Sequence, residues 1–196
     1  MVTIEEFQEK VDNTKTDDEL LFITRKYIFH GIPFVFQDRE DDYYDFRNEI
    51  ANNFKIDYRD VIIVGSAKLG YSWFKRTPFS HESDIDVALI NTQLFDKFHR
   101  SICDFQYKIR HGQIRLTSDE QAEYNKLLRY MAIGWLRPDK IPYQLEYIGR
   151  KSWFDFFNSI SYGKRPVGDY KVNAGLFKNN FFFEKYYVNA LKSIKN

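Results

Sequence analysis

The chain has 196 residues, a length that fits one domain with a substantial core, and its formal net charge is only +1. Near-neutrality excludes a global field that would draw the protein to nucleic acid or to an anionic membrane. A single cysteine, Cys103, excludes an internal disulfide framework; we interpret it as a small core residue in a reducing compartment.

The opening MVTIEEFQEK lacks a signal-peptide pattern, and no apolar run approaches the about 18 residues that cross a bilayer. We therefore expect a cytoplasmic protein without a membrane partner. The N-terminal segment, residues 1–58, is predicted to be helical. A short first helix precedes a second that begins at the capping box of residues 16–19 and runs through Tyr27. Apolar residues at helical spacing predict a third helix over residues 39–54.

Two apolar runs with strand character follow. VIIVGS, residues 61–66, reads as a buried strand that ends in a glycine turn, and SDIDVALI, residues 83–90, reads as a second strand. Alternation places Ile85, Val87 and Leu89 on the face opposite to the aspartates.

The remaining elements are mostly helical. We predict helices from Asn91 to the stop at His111-Gly112, from the capping box at Thr117 through Trp135, from Ser152, and over 180–194, with strands at 143–148 and near 170–175. The sequence thus predicts an α/β (α+β) fold in one domain, 1–196. We divide this domain into the helical segment 1–58, a core over 59–150 and a C-terminal helical segment, 151–196.

Asp84 and Asp86 raise a chemical question. Side chains two apart on a strand share a face, so these carboxylates lie about 7 Å apart and repel each other unless a cation is close. Carboxylate oxygens are hard ligands, which suit Mg²⁺ or Mn²⁺ better than Zn²⁺. We therefore interpret both residues as metal ligands.

The turn at Gly65 and Ser66 favours phosphate. A glycine lets a ligand approach the backbone closely, exposed N–H groups attract anions, and the Ser66 hydroxyl is a further donor. Lys68 and Ser72 are candidate extra donors to the same phosphates. A phosphate turn beside a metal-binding strand predicts phosphoryl transfer.

Gly65-Ser66 followed by Ser83-Asp84-x-Asp86 resembles the nucleotidyltransferase superfamily with the DNA polymerase beta-type fold. The resemblance is strong over residues 60–92 and covers the rest in outline. It implies a small mixed sheet flanked by helices, a nucleoside triphosphate donor and two Mg²⁺ or Mn²⁺ ions. It also implies that the two aspartates are catalytic, and that Ser83 belongs to the nucleotide-binding motif.

Members of this superfamily usually add a third carboxylate from a later strand. Glu146 in YQLEYI is our candidate for this catalytic and metal-binding position, and Asp139 is its rival. Seventeen residues separate Ser66 from Asp84, more than in the shortest members, so 71–82 reads as a longer loop near the phosphates. Its Lys75, Arg76 and His81 are candidate substrate contacts, with an ordinary solvated loop as the alternative.

We expect transfer of a nucleoside monophosphate from a triphosphate to a hydroxyl acceptor, with release of pyrophosphate. The short chain resembles minimal bacterial enzymes that make a nucleotide signal or an oligonucleotide in antiphage defence, which implies a short nucleic acid or a co-encoded effector protein as partner. The alternatives are a toxin-type enzyme that modifies tRNA or protein, and a non-catalytic nucleotide-binding regulatory or antitoxin subunit. A two-carboxylate hydrolase is the last alternative.

Overall fold

The computed structural model describes residues 2–145, 150–163 and 167–195. These residues form a small mixed sheet with helices on both faces, which confirms the predicted mixed α/β class. The strands of the main sheet are β1 (Val61–Val64), β4 (Ile85–Ile90), β5 (Trp135–Leu136) and β6 (Val172–Phe177), in the order β1-β4-β6-β5. A separate hairpin pairs β2 (Tyr71–Ser72) with β3 (Thr77–Pro78).

Helices surround this sheet. Those of the described residues are α1 (Ile4–Asp12), α2 (Asp17–Ile23), α3 (Glu40–Phe54), α4 (Gly65–Leu69), α5 (Thr92–Arg110), α6 (Ser118–Ala132), α7 (Arg150–Ser159) and α8 (Asn180–Lys192). A π-helical turn, Thr24–Phe29, continues α2, and short 3-10 turns occupy Phe34–Phe36, Tyr58–Asp60 and Pro138–Lys140. No helix within these ranges has the length and apolar character that a bilayer span requires.

Side-chain caps define several helix starts, as the sequence predicts. Thr16 and Thr117 each form a complete capping box with the glutamate three residues later. Asn91 and Asn179 accept a hydrogen bond from the third backbone N–H of α5 and α8 respectively. Each such cap stabilises its helix by about 1 kcal/mol, because it satisfies N–H groups that have no partner within the helix.

The sheet register brings the two predicted strands together with a later one. β1 runs antiparallel to β4, with Val64 opposite Asp86. β6 runs parallel to β4 on its other side, with Asn173 opposite Asp86. Parallel neighbours need a long crossover, and here residues 91–171, which include α5, α6 and α7, supply it.

Both faces of the sheet are buried against aromatic-rich cores. Ile85, Val87 and Leu89 pack on one face against α3, α5, α6 and α7, which confirms the predicted alternation of β4. Ala88 and Ile90 pack on the opposite face against α1, α2 and α8. Asp86 shares this second face, so the carboxylate lies between the sheet and the N- and C-terminal helices.

Three local predictions are wrong. Trp135 belongs to β5 rather than α6, because Gly134 takes a left-handed conformation (φ 68°) and turns the chain beyond the helix. Residues 143–145 form a turn, not the start of a strand. Cys103 is exposed on α5, since the buried stripe of that helix runs through Phe98, Ile102 and Phe105. The strand predicted near 170–175 is confirmed as β6, in the interior of the sheet.

Candidate functional site

A cleft of about 1190 Å³ includes Asp86 in its lining and is bordered by residues of both sheet faces. Its walls come from the β1–α4 turn, the β2–β3 hairpin, β4, β6, β5, the Pro138–Lys140 turn, α7 and α8. Apolar rings form much of the lining, and polar side chains are gathered at a few points, a composition typical of ligand sites. The lining includes Gly65, Trp73, Phe74, Asp86, Trp135, Arg137, Lys171, Asn173, Lys185 and Tyr186.

The glycine of the β1–α4 turn lies beside the carboxylate of the second aspartate. Gly65 has φ 66°, and a Cβ added there would lie 3.2 Å from Asp86 Oδ2. Ser66 follows and is half-buried. Helix α4 has only five residues, so the backbone of the turn, rather than a long helix dipole, would have to receive an anion. The predicted convergence of the turn and the acid strand is therefore present for Gly65 and Asp86.

Asp84 and Asp86 meet an amide from the neighbouring strand. Asn173 Nδ2 donates a hydrogen bond of 2.8 Å to Asp84 Oδ2, while Asn173 itself pairs with Asp86 in the parallel register. Among the described residues no arginine or lysine forms an ion pair with either aspartate. Asp86 lines the cleft, and Asp84 is exposed to solvent.

The Asp86 carboxyl has a raised pKa of about 6. Burial is the largest cause, the negative charge of Asp84 adds to it, and the positive charges of Lys171 and Lys75 act in the opposite direction. The side chain remains solvent-accessible through the mouth of the cleft while protein surrounds its carboxylate on the other sides. Ionised Asp86 is therefore destabilised in this setting, and a bound cation would relieve the cost.

The predicted extra phosphate donors lie elsewhere or have local partners. Lys68 Nζ donates to the carbonyl oxygens of His30 and Gly31, each at 2.6 Å. Its side chain is buried among the N-terminal helices, and this burial, followed by the charge of Arg47, lowers its pKa to about 8. The structure thus places Lys68 away from the cleft.

The other two predicted donors organise loops. Ser72 Oγ accepts a hydrogen bond of 3.1 Å from the Lys75 N–H, and Ser83 Oγ accepts one of 3.0 Å from the Ser80 N–H. His81, a candidate substrate contact, stacks on Tyr170 with ring centroids 6.2 Å apart.

The third carboxylate is not among the described acids. Glu146 lies outside the described residues. Asp139 lines the cleft, but it forms ion pairs with Arg137 at 3.0 Å and with Lys140 at 3.4 Å. Within the ranges that the structure covers, no three His, Cys, Asp or Glu side chains gather as a metal site would require.

These donors fit one divalent ion better than two. Asp84, Asp86 and the amide oxygen of Asn173 are hard ligands of the type that Mg²⁺ prefers, and phosphate oxygens or water usually complete its shell. A second ion would need an additional acid, and Glu146 is the remaining candidate.

Sequence reasoning did not identify Asn173 or Phe74 as site residues. Asn173 was detectable as a polar side chain within an otherwise small and apolar strand, VNAGLF. Its pairing with Asp86 across the sheet could not be read from the sequence. Phe74 precedes the loop cations Lys75 and Arg76, and no local pattern distinguishes it from a core aromatic residue.

Comparison of the chain with protein-family models, with curated proteins and with solved structures gave no match.

Proposed function

We propose that the protein is a metal-dependent nucleotidyltransferase. It would move a nucleoside monophosphate from a nucleoside triphosphate to a hydroxyl acceptor and release pyrophosphate. The observation that carries this proposal is that Asp86 Oδ2 lies directly beside the Gly65 turn, where an added Cβ would come within 3.2 Å of it, in a large cleft. It unites a backbone turn open to phosphate with an acid pair suited to a divalent cation.

The residues of the chain position the reactants and balance charge. Gly65 leaves room for the outer phosphates beside the turn, and Ser66 offers a hydroxyl donor. Lys75 and Lys171, whose charges already act on Asp86, bring positive charge to the same end of the cleft. The acceptor hydroxyl attacks the α-phosphorus, the bond to pyrophosphate breaks, and the proton of the hydroxyl leaves to water. Catalysis of this kind depends on placement and electrostatic stabilisation.

Asp84, Asp86 and Asn173 are the described residues that would hold Mg²⁺ or Mn²⁺. When bound, the ion supplies charge neutralisation of the phosphates and lowers the pKa of a coordinated hydroxyl. In its absence the acid pair would repel the triphosphate. Triphosphate binding is therefore expected to require the divalent cation.

The test uses the purified chain with each NTP and dNTP and Mg²⁺ or Mn²⁺, with pyrophosphate release as the readout and mass spectrometry of the products. We expect release with at least one triphosphate, and a loss of at least a hundredfold in Asp86→Ala. Near-normal turnover in Asp86→Ala would contradict the mechanism. The product masses distinguish oligonucleotide synthesis, self-modification and transfer to an added tRNA.

Gly65→Ala provides a second, sterically distinct variant with a matched control. Alanine at φ 66° costs about 1–2 kcal/mol of backbone strain, and its Cβ would press on Asp86 Oδ2. Gly112→Ala carries a similar strain at φ 71° with no atom within 4 Å. We expect both variants to lose similar stability and only Gly65→Ala to lose turnover. Equal turnover in the two would exclude a role for the turn.

A non-catalytic nucleotide-binding subunit is the second candidate, and one observation favours it. The strand beside β4 carries an amide, Asn173, at the register of Asp86, where a third carboxylate would complete a two-ion site. Cation-dependent binding of a triphosphate, with no pyrophosphate released from any of them, would support this candidate over the enzyme. The proposed role in bacterial defence, with a short nucleic acid or a co-encoded effector as partner, stays a prediction.

A further inference from the structure

Phe74 is an exposed aromatic residue at the cleft. Its side chain is 75% exposed, it lines the cleft, and it stacks on no ring of the described residues. The neighbouring Trp73, by contrast, is packed against other aromatic side chains. An exposed phenylalanine ring in a pocket wall leaves apolar surface in water that a ligand could cover.

The hairpin around Phe74 is anchored on both sides of the ring. Trp73 stacks on Phe7 with centroids 5.7 Å apart and meets Tyr187 edge-on at 6.1 Å. Beyond Phe74, the Lys75 N–H donates to Ser72 Oγ, and Arg76 takes the left-handed conformation (φ 54°) that turns the chain into β3. Because its neighbours are fixed, Phe74 is held at the cleft rather than in a freely moving loop.

The same hairpin brings a cation to the acid pair. Lys75 acts electrostatically on Asp86, and Phe74 lines the cleft that contains this carboxylate, so the hairpin supplies a flat apolar ring and a positive charge to the same site. A nucleoside triphosphate has the matching chemistry, since its base is a flat ring and its phosphates are anionic.

Building on the nucleotidyltransferase proposal, we propose that Phe74 is a nucleobase-stacking residue. The base of the bound triphosphate lies against the Phe74 ring while its phosphates occupy the Gly65 turn. Stacking on a phenyl ring accepts any base, because every base has a π-face. The site therefore binds nucleoside triphosphates with little discrimination at this wall, and purines bind more tightly than pyrimidines because their rings are larger.

The experiment compares ATP with inorganic tripolyphosphate, both titrated calorimetrically in Mg²⁺ into the full chain. Phe74→Ala should bind ATP about tenfold to a hundredfold more weakly and bind tripolyphosphate as the wild type does. Phe74→Trp should bind ATP at least as tightly as the wild type. Phe22→Ala is the matched control, because Phe22 is 63% exposed on α2 and does not line the cleft; it should leave both affinities unchanged.

Two negative results have different meanings. Equal ATP affinity in Phe74→Ala and wild type, with tripolyphosphate bound by both, would overturn base stacking and leave the nucleotidyltransferase proposal standing. Failure of the wild-type protein to bind either ligand in Mg²⁺ would overturn the proposed function and the stacking role together. An equal loss of affinity for ATP and for tripolyphosphate in Phe74→Ala would show a general disturbance of the cleft and would also overturn the stacking role.

Discussion

At the scale of single residues, Asp86 makes stability depend on pH. Its folded-state pKa, about 6, lies above the ordinary value of 3.8, so the folded protein binds this proton more tightly than the unfolded chain does. Wild-type stability therefore falls as pH rises from about 4 to about 6, and the cost stays constant at higher pH. The pKa of Asp86 is raised by burial and by the negative charge of Asp84. A bound divalent cation would favour the ionised carboxylate and so lower this pKa.

Asp86→Asn should remove this cost. A pKa shift of this size corresponds to at most about 3 kcal/mol of stability, and solvent access through the cleft reduces this value. We therefore expect the free energy of unfolding of the variant to exceed that of the wild type by about 1 kcal/mol at pH 7.5 in EDTA. The corresponding rise in Tm is about 2–4 °C, and it should vanish near pH 4. Thermal melts across this pH range measure it. A Tm of the variant that is unchanged or lower at pH 7.5 would show that the carboxylate is not destabilised there.

The residues that could be predicted are those whose environment is set locally. Alternation along β4 fixes the shared face of Asp84 and Asp86, and the glycine after β1 marks the turn. Lys68 could not be placed in this way, because its amine donates to the carbonyls of His30 and Gly31, which lie 38 and 37 residues earlier in the chain. Local pattern cannot specify such a partner.

At the scale of elements, the pairing of β4 with β6 determines which side chain stands beside the acid pair. Asn173→Asp places a third carboxylate at the register of Asp86 and removes the hydrogen bond to Asp84. In EDTA we expect the free energy of unfolding to fall by about 1 kcal/mol, which lowers Tm by about 2–4 °C. Mn²⁺ should restore this stability, because a third acid strengthens cation binding.

Asn189→Asp is the matched control, since Asn189 lines the same cleft and donates to the Lys185 carbonyl rather than to an acid. Scanning fluorimetry with and without Mn²⁺ gives the comparison. If Mn²⁺ stabilised wild type, Asn173→Asp and Asn189→Asp equally, the strand β6 would have no part in cation binding.

Elements with strong local signals were predictable from the sequence, and short elements made by long-range contacts were not. Capping boxes and helical spacing identified α2, α3, α5 and α6 within a few residues. The two-residue strand β5 exists because Trp135 and Leu136 pair with Phe177 and Leu176 some forty residues later. Trp135 also fits the apolar spacing of α6, so the sequence pattern alone favours the wrong element.

At the scale of the whole molecule, the N-terminal helices and α8 close one face of the sheet as a joint layer. Arg25 pairs with Glu184 at 2.7 Å, Lys192 pairs with Asp17 at 2.6 Å, and Gln8 Nε2 donates to the Ile194 carbonyl. Phe7 lies at the centre of this layer, fully buried among Tyr27, Tyr71 and Trp73. The layer thereby supports the hairpin that borders the cleft.

Phe7→Ala should therefore affect both stability and the site. We expect a loss of about 3–4 kcal/mol in urea denaturation from the cavity, together with weaker ATP binding as Trp73 loses its stacking partner. Phe105→Ala removes an equally buried ring on the other side of the sheet, where it packs against Tyr124. It should cost a similar free energy and leave ATP affinity unchanged. Equal ATP affinities in the two variants would show that the N-terminal layer does not support the hairpin.

The order of strands in the sheet has a consequence for biosynthesis. β6 is translated after β4 and β5, yet it inserts between them, so a ribosome that has finished residues 61–90 has produced the turn and both aspartates without the strand that later joins β4. Until Asn173 emerges, the open edge of β4 has no amide to bind Asp84. Parallel pairing across such a long crossover is slow to form. The growing chain therefore carries its acids long before it carries a finished cleft, and a competent site arises only after β6 has been made.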